Sequence, residues 1–65
     1  MSHVTRMQDE KDQLEEKIEA LSGFLSGNIF PQLTVDEQVL LRLQKVHMRS
    51  YLQVLSKRLQ VAKQS

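Results

Sequence analysis

Apolar residues recur along this chain in two helical stripes separated by a short apolar break. Met7, Leu14, Ile18, Leu21 and Leu25 follow one another at spacings of seven, four, three and four. Those spacings keep them on one side of a 3.6-residue helix. Ala20 and Phe24 widen the stripe near its end, and the pattern predicts a first helix over about residues 5–25. Thr5 with Gln8 has the form of a capping box, and Asp9 and Glu10 suit the positive end of the helix dipole. Gly27 is placed to close the helix in the left-handed conformation, and Pro31 forbids its continuation.

Residues 26–33 form the predicted connection. Ile29, Phe30 and Leu33 are too apolar for a freely solvated loop, so they are expected to fold back over the closed end of a helical hairpin. Thr34-Val35-Asp36-Glu37 is a T-x-x-E capping box and marks the start of a second helix. This helix runs without Gly or Pro over about residues 35–62, a length of about 42 Å. Its core stripe is Leu41, Met48, Leu52, Leu55, Leu59 and Ala62. Val39, Leu40, Leu43 and Val46 lie on other faces, and His47, Tyr51, Val54, Arg58 and Val61 form a row about 100° around from the core stripe.

One partner helix covers one seam, which leaves Val39, Leu43, Val46, Tyr51, Val54 and Val61 largely in water. Apolar surface on that scale marks an interface. The expected fold is therefore all-α: an antiparallel hairpin with a long second helix, one domain over residues 1–65, closing its apolar rows by homo-oligomeric bundling. Composition adds weight to this. A 65-residue chain has a marginal core, and with no Cys and two His, neither disulfides nor a structural metal are expected to support it. No apolar run approaches a membrane span, and the residues before Met7 carry no hydrophobic leader stretch. No membrane partner is expected.

The net charge of +1 conceals an asymmetry: three basic against six acidic residues over 1–33, and six basic against two acidic over 34–65. An acidic helix followed by a basic one suits an antiparallel pair and leaves a cationic surface for an anion. Phosphate-loop, dinucleotide-fold and zinc-protease motifs are absent, as is a Cys nucleophile, so no enzymatic activity, metal or cofactor is expected. Arg42, Lys45 and Arg49, then Lys57, Arg58 and Lys63, offer groups that hold phosphates or pair with Glu15, Glu16 and Glu19. Tyr51, Val54 and Arg58 share a row that can stack a base and hold a phosphate, or can fill an interface. Read unaided, Lys17 is a solvated lysine and His3 a frayed terminal residue.

The order of residues over most of the chain resembles a family of short bacteriophage proteins. The resemblance is carried by R-M-Q-D-E-K-D-Q-L-E-E-K-I-E-A-L-S-G-F-L at 6–25, F-P-Q-L at 30–33, E-Q-V-L-L-R-L-Q at 37–44 and M-R-S-Y-L-Q-V-L-S-K-R-L at 48–59. The family it is similar to is that of the type 2 anti-CBASS proteins, sponges for the cyclic oligonucleotide messengers of bacterial antiphage signalling. The resemblance implies a compact homohexamer that binds messenger without cleaving it, in the cytoplasm of the infected bacterial host. Cyclic dinucleotides would sit between protomers and cyclic trinucleotides at threefold positions. By the same resemblance, Lys17 meets the dinucleotide phosphate and Arg58 the trinucleotide, with Tyr51 beside it. The family's N-terminal aromatic is replaced here by Ser2 or His3, and of these the His3 imidazole can stack or bond a phosphate. Two alternatives stay open: an adaptor bundle that binds a protein through its apolar rows, and, less favoured, a nucleic-acid-binding regulator using the basic helix.

Overall fold

The computed structural model describes residues 3–64 and is all-helical. Helix α1 spans His3–Leu25 and helix α2 spans Val35–Gln64, joined through a short 3₁₀ turn at Phe30–Gln32. The two helices pack side by side into a rod of 48 × 15 × 14 Å. The start of α1 lies against the end of α2, since Met7, Leu55 and Leu59 form one buried cluster with Val4, Leu14 and Ala62 packed around it. Ile18 and Ser22 meet Leu52 nearer the closed end. The stripe residues from Met7 to Leu25 and from Leu41 to Ala62 are buried or half-buried, whereas Ala20 and Phe24, expected to widen the first stripe, are exposed.

The core is small. Among the described residues only Met7, Phe30, Leu55 and Leu59 are buried, and Leu55 alone is fully so. Phe30 stands apart from the main cluster and plugs the closed end, with the Arg42 guanidinium 5.2 Å from its ring centroid. Leu33 is half-buried beside it in sequence, whereas Ile29 remains 60% exposed. The expectation that all three fold back is thus corrected at Ile29. The 3₁₀ turn begins at Phe30 with Ile29 as its N-cap, and Pro31 inside it fixes the turn around Phe30, leaving Ile29 outside the plug.

The helix ends show which local signals were decisive. At the start of α2 the Glu37 amide donates to Thr34 Oγ1 at 3.2 Å, the backbone half of a capping box. Gln38 reaches back to donate to the Leu33 carbonyl at 3.0 Å, which ties the connection to α2. The first helix begins earlier than the Thr5–Gln8 box implies: Thr5 lies inside α1, and Gln8 donates instead to Asp12 at 3.0 Å. Neither glycine has a positive φ, so Gly27 does not form a left-handed cap. The end of α1 tightens instead, the Gly27 amide donating to Phe24 O at 3.1 Å in the i→i−3 pattern that satisfies a terminal carbonyl.

Two apolar surfaces are left open. Val35, Val39, Leu40, Leu43 and Val46 on α2 are exposed, as are Val54 and Val61 further along. Among the described residues, no helix is long and apolar enough to cross a membrane.

Candidate functional site

A concavity of about 560 Å³ lies between the start of α1 and the last turns of α2. His3 and Met7 contribute from α1, one turn apart on the same face. From α2 come Val54, Arg58 and Val61 at spacings of four and three, with Lys57 and Ala62 alongside. Met7 is the innermost of these, being part of the core. The groove is thus an apolar trough with an imidazole, an ammonium and a guanidinium along it. Such a surface packs against the face of a flat heterocycle and holds an anionic group at its rim. It exists because the two rows meet in antiparallel register, so that neither helix could form it alone.

Tyr51 lies one turn before Val54 in the same row, toward the closed end. Its hydroxyl donates to Glu10 Oε1 on α1, joining residues 41 apart in the chain. Glu10 follows Met7 by three residues and so shares the face that lines the groove. The hydrogen bond to the Glu10 carboxylate, with lost hydration and the carboxylate charge adding to it, raises the Tyr51 phenol above its ordinary value of 10.0. Arg58 acts on the same phenol in the opposite sense. Carboxylate, phenol and guanidinium therefore form one electrostatic neighbourhood beside the groove, on its closed-end side, with Arg58 alone of the three lining the groove itself.

The residues expected to meet a cyclic trinucleotide, Arg58 and Tyr51, are brought into this neighbourhood. His3, expected on the dinucleotide side, lines the same groove as Arg58, while Lys17 does not. Lys17 is exposed on α1, fourteen residues beyond His3, which places it about 21 Å along the helix axis. One protomer therefore keeps Lys17 and His3 apart. Ser2 lies outside the described residues.

The remaining basic residues are dispersed. Arg42 covers the Phe30 ring, and Arg49 lines a second groove with Glu15 and Glu19. The expected ion pairing between the acidic and basic helices does not occur among the described residues. The ion pair that forms is intrahelical, Lys11 Nζ to Glu15 Oε1 at 3.0 Å. Most acidic side chains of α1 face solvent, where attraction between the halves persists without contact. No group of three His, Cys, Asp or Glu side chains among the described residues could hold a metal ion. Two participants were not singled out from the sequence: Lys57, noted only as one of several basic residues, and Glu10, assigned to the helix dipole. Their roles depend on the interhelical register, which no single-helix spacing contains.

A family model described as Sequestin matches residues 1–61. The chain belongs to the Sequestin family. It is also 41% identical over 59 residues to an uncharacterised 7.5 kDa protein from the denB–rIIB intergenic region of Enterobacteria phage T4, covering 91% of this chain and 92% of the relative. No solved structure matches the chain. The Sequestin match takes in α1, the connection and almost all of α2, so every groove residue except Ala62 lies within it.

Proposed function

We propose that this chain is a phage anti-defence protein of the type 2 anti-CBASS kind. It binds cyclic oligonucleotide messengers of bacterial immunity and sequesters them without cleavage, in the cytoplasm of the infected host. The observation that carries this reading is the groove of Met7, Val54 and Val61 edged by His3, Lys57 and Arg58, in a chain of the Sequestin family. Apolar walls suit the base, and Arg58 and Lys57 suit the phosphate that follows it in a cyclic oligonucleotide. Sequestration requires affinity and copy number rather than a nucleophile or general base, in keeping with a site that offers cations and apolar surface.

The protein acts as a homohexamer in this reading. The exposed apolar residues of α2 supply the interface, and symmetry turns each Arg58 into one member of a ring. A preformed ring meets a cyclic, multiply charged ligand with little further loss of freedom. The cyclic-trinucleotide site consists of Arg58 with Tyr51 nearby. A cyclic-dinucleotide site that uses both Lys17 and His3 draws them from different protomers, because one protomer holds them about 21 Å apart. A second reading, an adaptor that docks a different protein, is favoured by the same exposed apolar row.

Native mass spectrometry with a mixed set of cyclic di- and trinucleotides tests the proposal on wild-type protein, Arg58→Ala and Lys17→Ala. The expected result is a hexamer that gains whole ligands with no hydrolysed product. Arg58→Ala loses the trinucleotide and Lys17→Ala the dinucleotide, with the hexamer intact in both. A hexamer that ignores every nucleotide sinks the function and leaves the assembly. A monomer that captures a different protein in stoichiometric amount supports the adaptor.

A further inference from the structure

Beside the groove, on the side toward the closed end of the hairpin, stands an acidic residue, which is unexpected if the groove exists to hold phosphate. Glu10 sits on the α1 face that also carries His3 and Met7, and it receives the Tyr51 hydroxyl from α2. Arg58 is close enough to act on the same phenol, against Glu10. A ligand phosphate settling on Arg58 therefore feels a fixed negative charge from the Tyr51 end.

Resting on the reading that this groove takes a phosphate-bearing ligand, we infer that Glu10 is a specificity-determining residue that orients the ligand. Its carboxylate pins Tyr51 beside the groove on the closed-end side and repels anions there. Phosphate is therefore held on the side of Arg58 that faces away from Tyr51, near Lys57, while a base faces Tyr51. Two further features fit this role. Glu10 Oε1 accepts from Tyr51, and no hydrogen bond to the second carboxylate oxygen is present among the described residues, so that oxygen can accept from the amino edge of a base. The arrangement also costs affinity for plain polyanions, since a ligand without a base meets the carboxylate's repulsion and gains nothing from the Tyr51 end.

The test measures binding of inorganic tripolyphosphate and of cyclic trinucleotides at low salt by calorimetry, on full-length wild-type protein, Glu10→Gln, Glu10→Asp and Arg58→Ala. Glu10→Gln keeps an acceptor for Tyr51 and removes the charge. Glu10→Asp keeps the charge, and helical content by circular dichroism checks that each variant folds. Tripolyphosphate is expected to bind Glu10→Gln about three- to tenfold more tightly than wild type, the range that one screened charge at groove distance produces. Glu10→Asp should match wild type, and the gain should vanish when Arg58→Ala is added. Tripolyphosphate affinity that is unchanged or lower in Glu10→Gln overturns the inference, as does tripolyphosphate binding to neither protein. If the tripolyphosphate pattern holds while no cyclic nucleotide binds, the sponge function falls and the role of Glu10 stands. If cyclic nucleotides bind wild type and the tripolyphosphate pattern fails, the function stands and the role of Glu10 falls.

Discussion

Replacing Leu43 and Leu55 separately by alanine distinguishes a lone hairpin from one whose outer rows are covered by copies. Leu55 is fully buried, and its truncation leaves a cavity whether or not the chain assembles. The expected cost is about 3 kcal/mol, within the range seen for buried Leu→Ala changes. Leu43 is 46% exposed in the single hairpin, so its truncation there costs about 1 kcal/mol or less. Eight residues (Ile29, Val35, Val39, Leu40, Leu43, Val46, Val54 and Val61) stand between 46% and 74% exposed. Covering what remains of each recovers about 1 kcal/mol, so full coverage offers about 8 kcal/mol per protomer as an upper bound. In an assembly, Leu43→Ala should therefore cost about 2–3 kcal/mol and approach Leu55→Ala. Thermal and urea unfolding followed by circular dichroism, at protein concentrations about 100-fold apart, reads both effects. The wild-type midpoint should rise with concentration, because association stabilises the folded form by mass action. A midpoint that does not move, together with a Leu43→Ala cost within about 0.5 kcal/mol of zero, would refute the reasoning from exposed surface to assembly.

Three further outcomes follow from named contacts. Tyr51 should titrate above its ordinary value of 10.0 and fall toward it in Glu10→Gln, read by phenolate absorbance. Because the folded form holds this proton more tightly than the unfolded chain, the Tyr51 contribution to stability is fully present below about pH 10 and is lost as pH rises through the raised value. Unfolding midpoints that climb across that window would contradict the assignment. Thr34→Ala, which removes the acceptor for the Glu37 amide, should destabilise the fold by about 1 kcal/mol, and Thr34→Ser should restore it. Cyclic-trinucleotide affinity should fall with rising salt in wild type, and that dependence should be shallower in any residual binding by Arg58→Ala, since fewer charge contacts remain to be screened.

Both helices were legible because each carries a stripe at helical spacing, from Met7 to Leu25 and from Leu41 to Ala62. Thr34 was legible as a cap because its hydroxyl acts three residues ahead, within a single turn. The misplaced features are those that depend on context beyond one turn. Gly27 permits a left-handed cap but does not require one, and a 3₁₀-type bond from its amide closes the helix instead. Ile29 carries the same hydropathy cue as Phe30, yet Ile29 only caps the turn that begins at Phe30, and of the two Phe30 alone is buried. At the site, the row Tyr51–Val54–Arg58 could be read from α2 alone, but its union with His3 and Met7 required the offset between helices. Glu10 was invisible for the same reason. Its local signal is that of an acidic residue near a helix N-terminus, and its partner is 41 residues away.

The position of the groove explains how so small a chain can form a candidate site. Its walls come from the open end of the hairpin, where Met7, Leu55 and Leu59 concentrate most of the buried apolar surface. That cluster holds α1 and α2 in register at the place where His3, Lys57 and Arg58 must be aligned. At the closed end, Phe30 under Arg42 makes a separate plug, so a change there should shift the loop with little effect on the groove. The exposed apolar residues Val35, Val39, Leu43 and Val46 begin at that closed end, run along α2 toward the groove and are not among the residues that line it. Assembly through this row would supply the stability that four buried side chains do not. Val54 and Val61 are the exception, since they are exposed and line the groove as well. A copy that covers them would close over a bound ligand, and ligand binding and assembly would then strengthen each other by linkage.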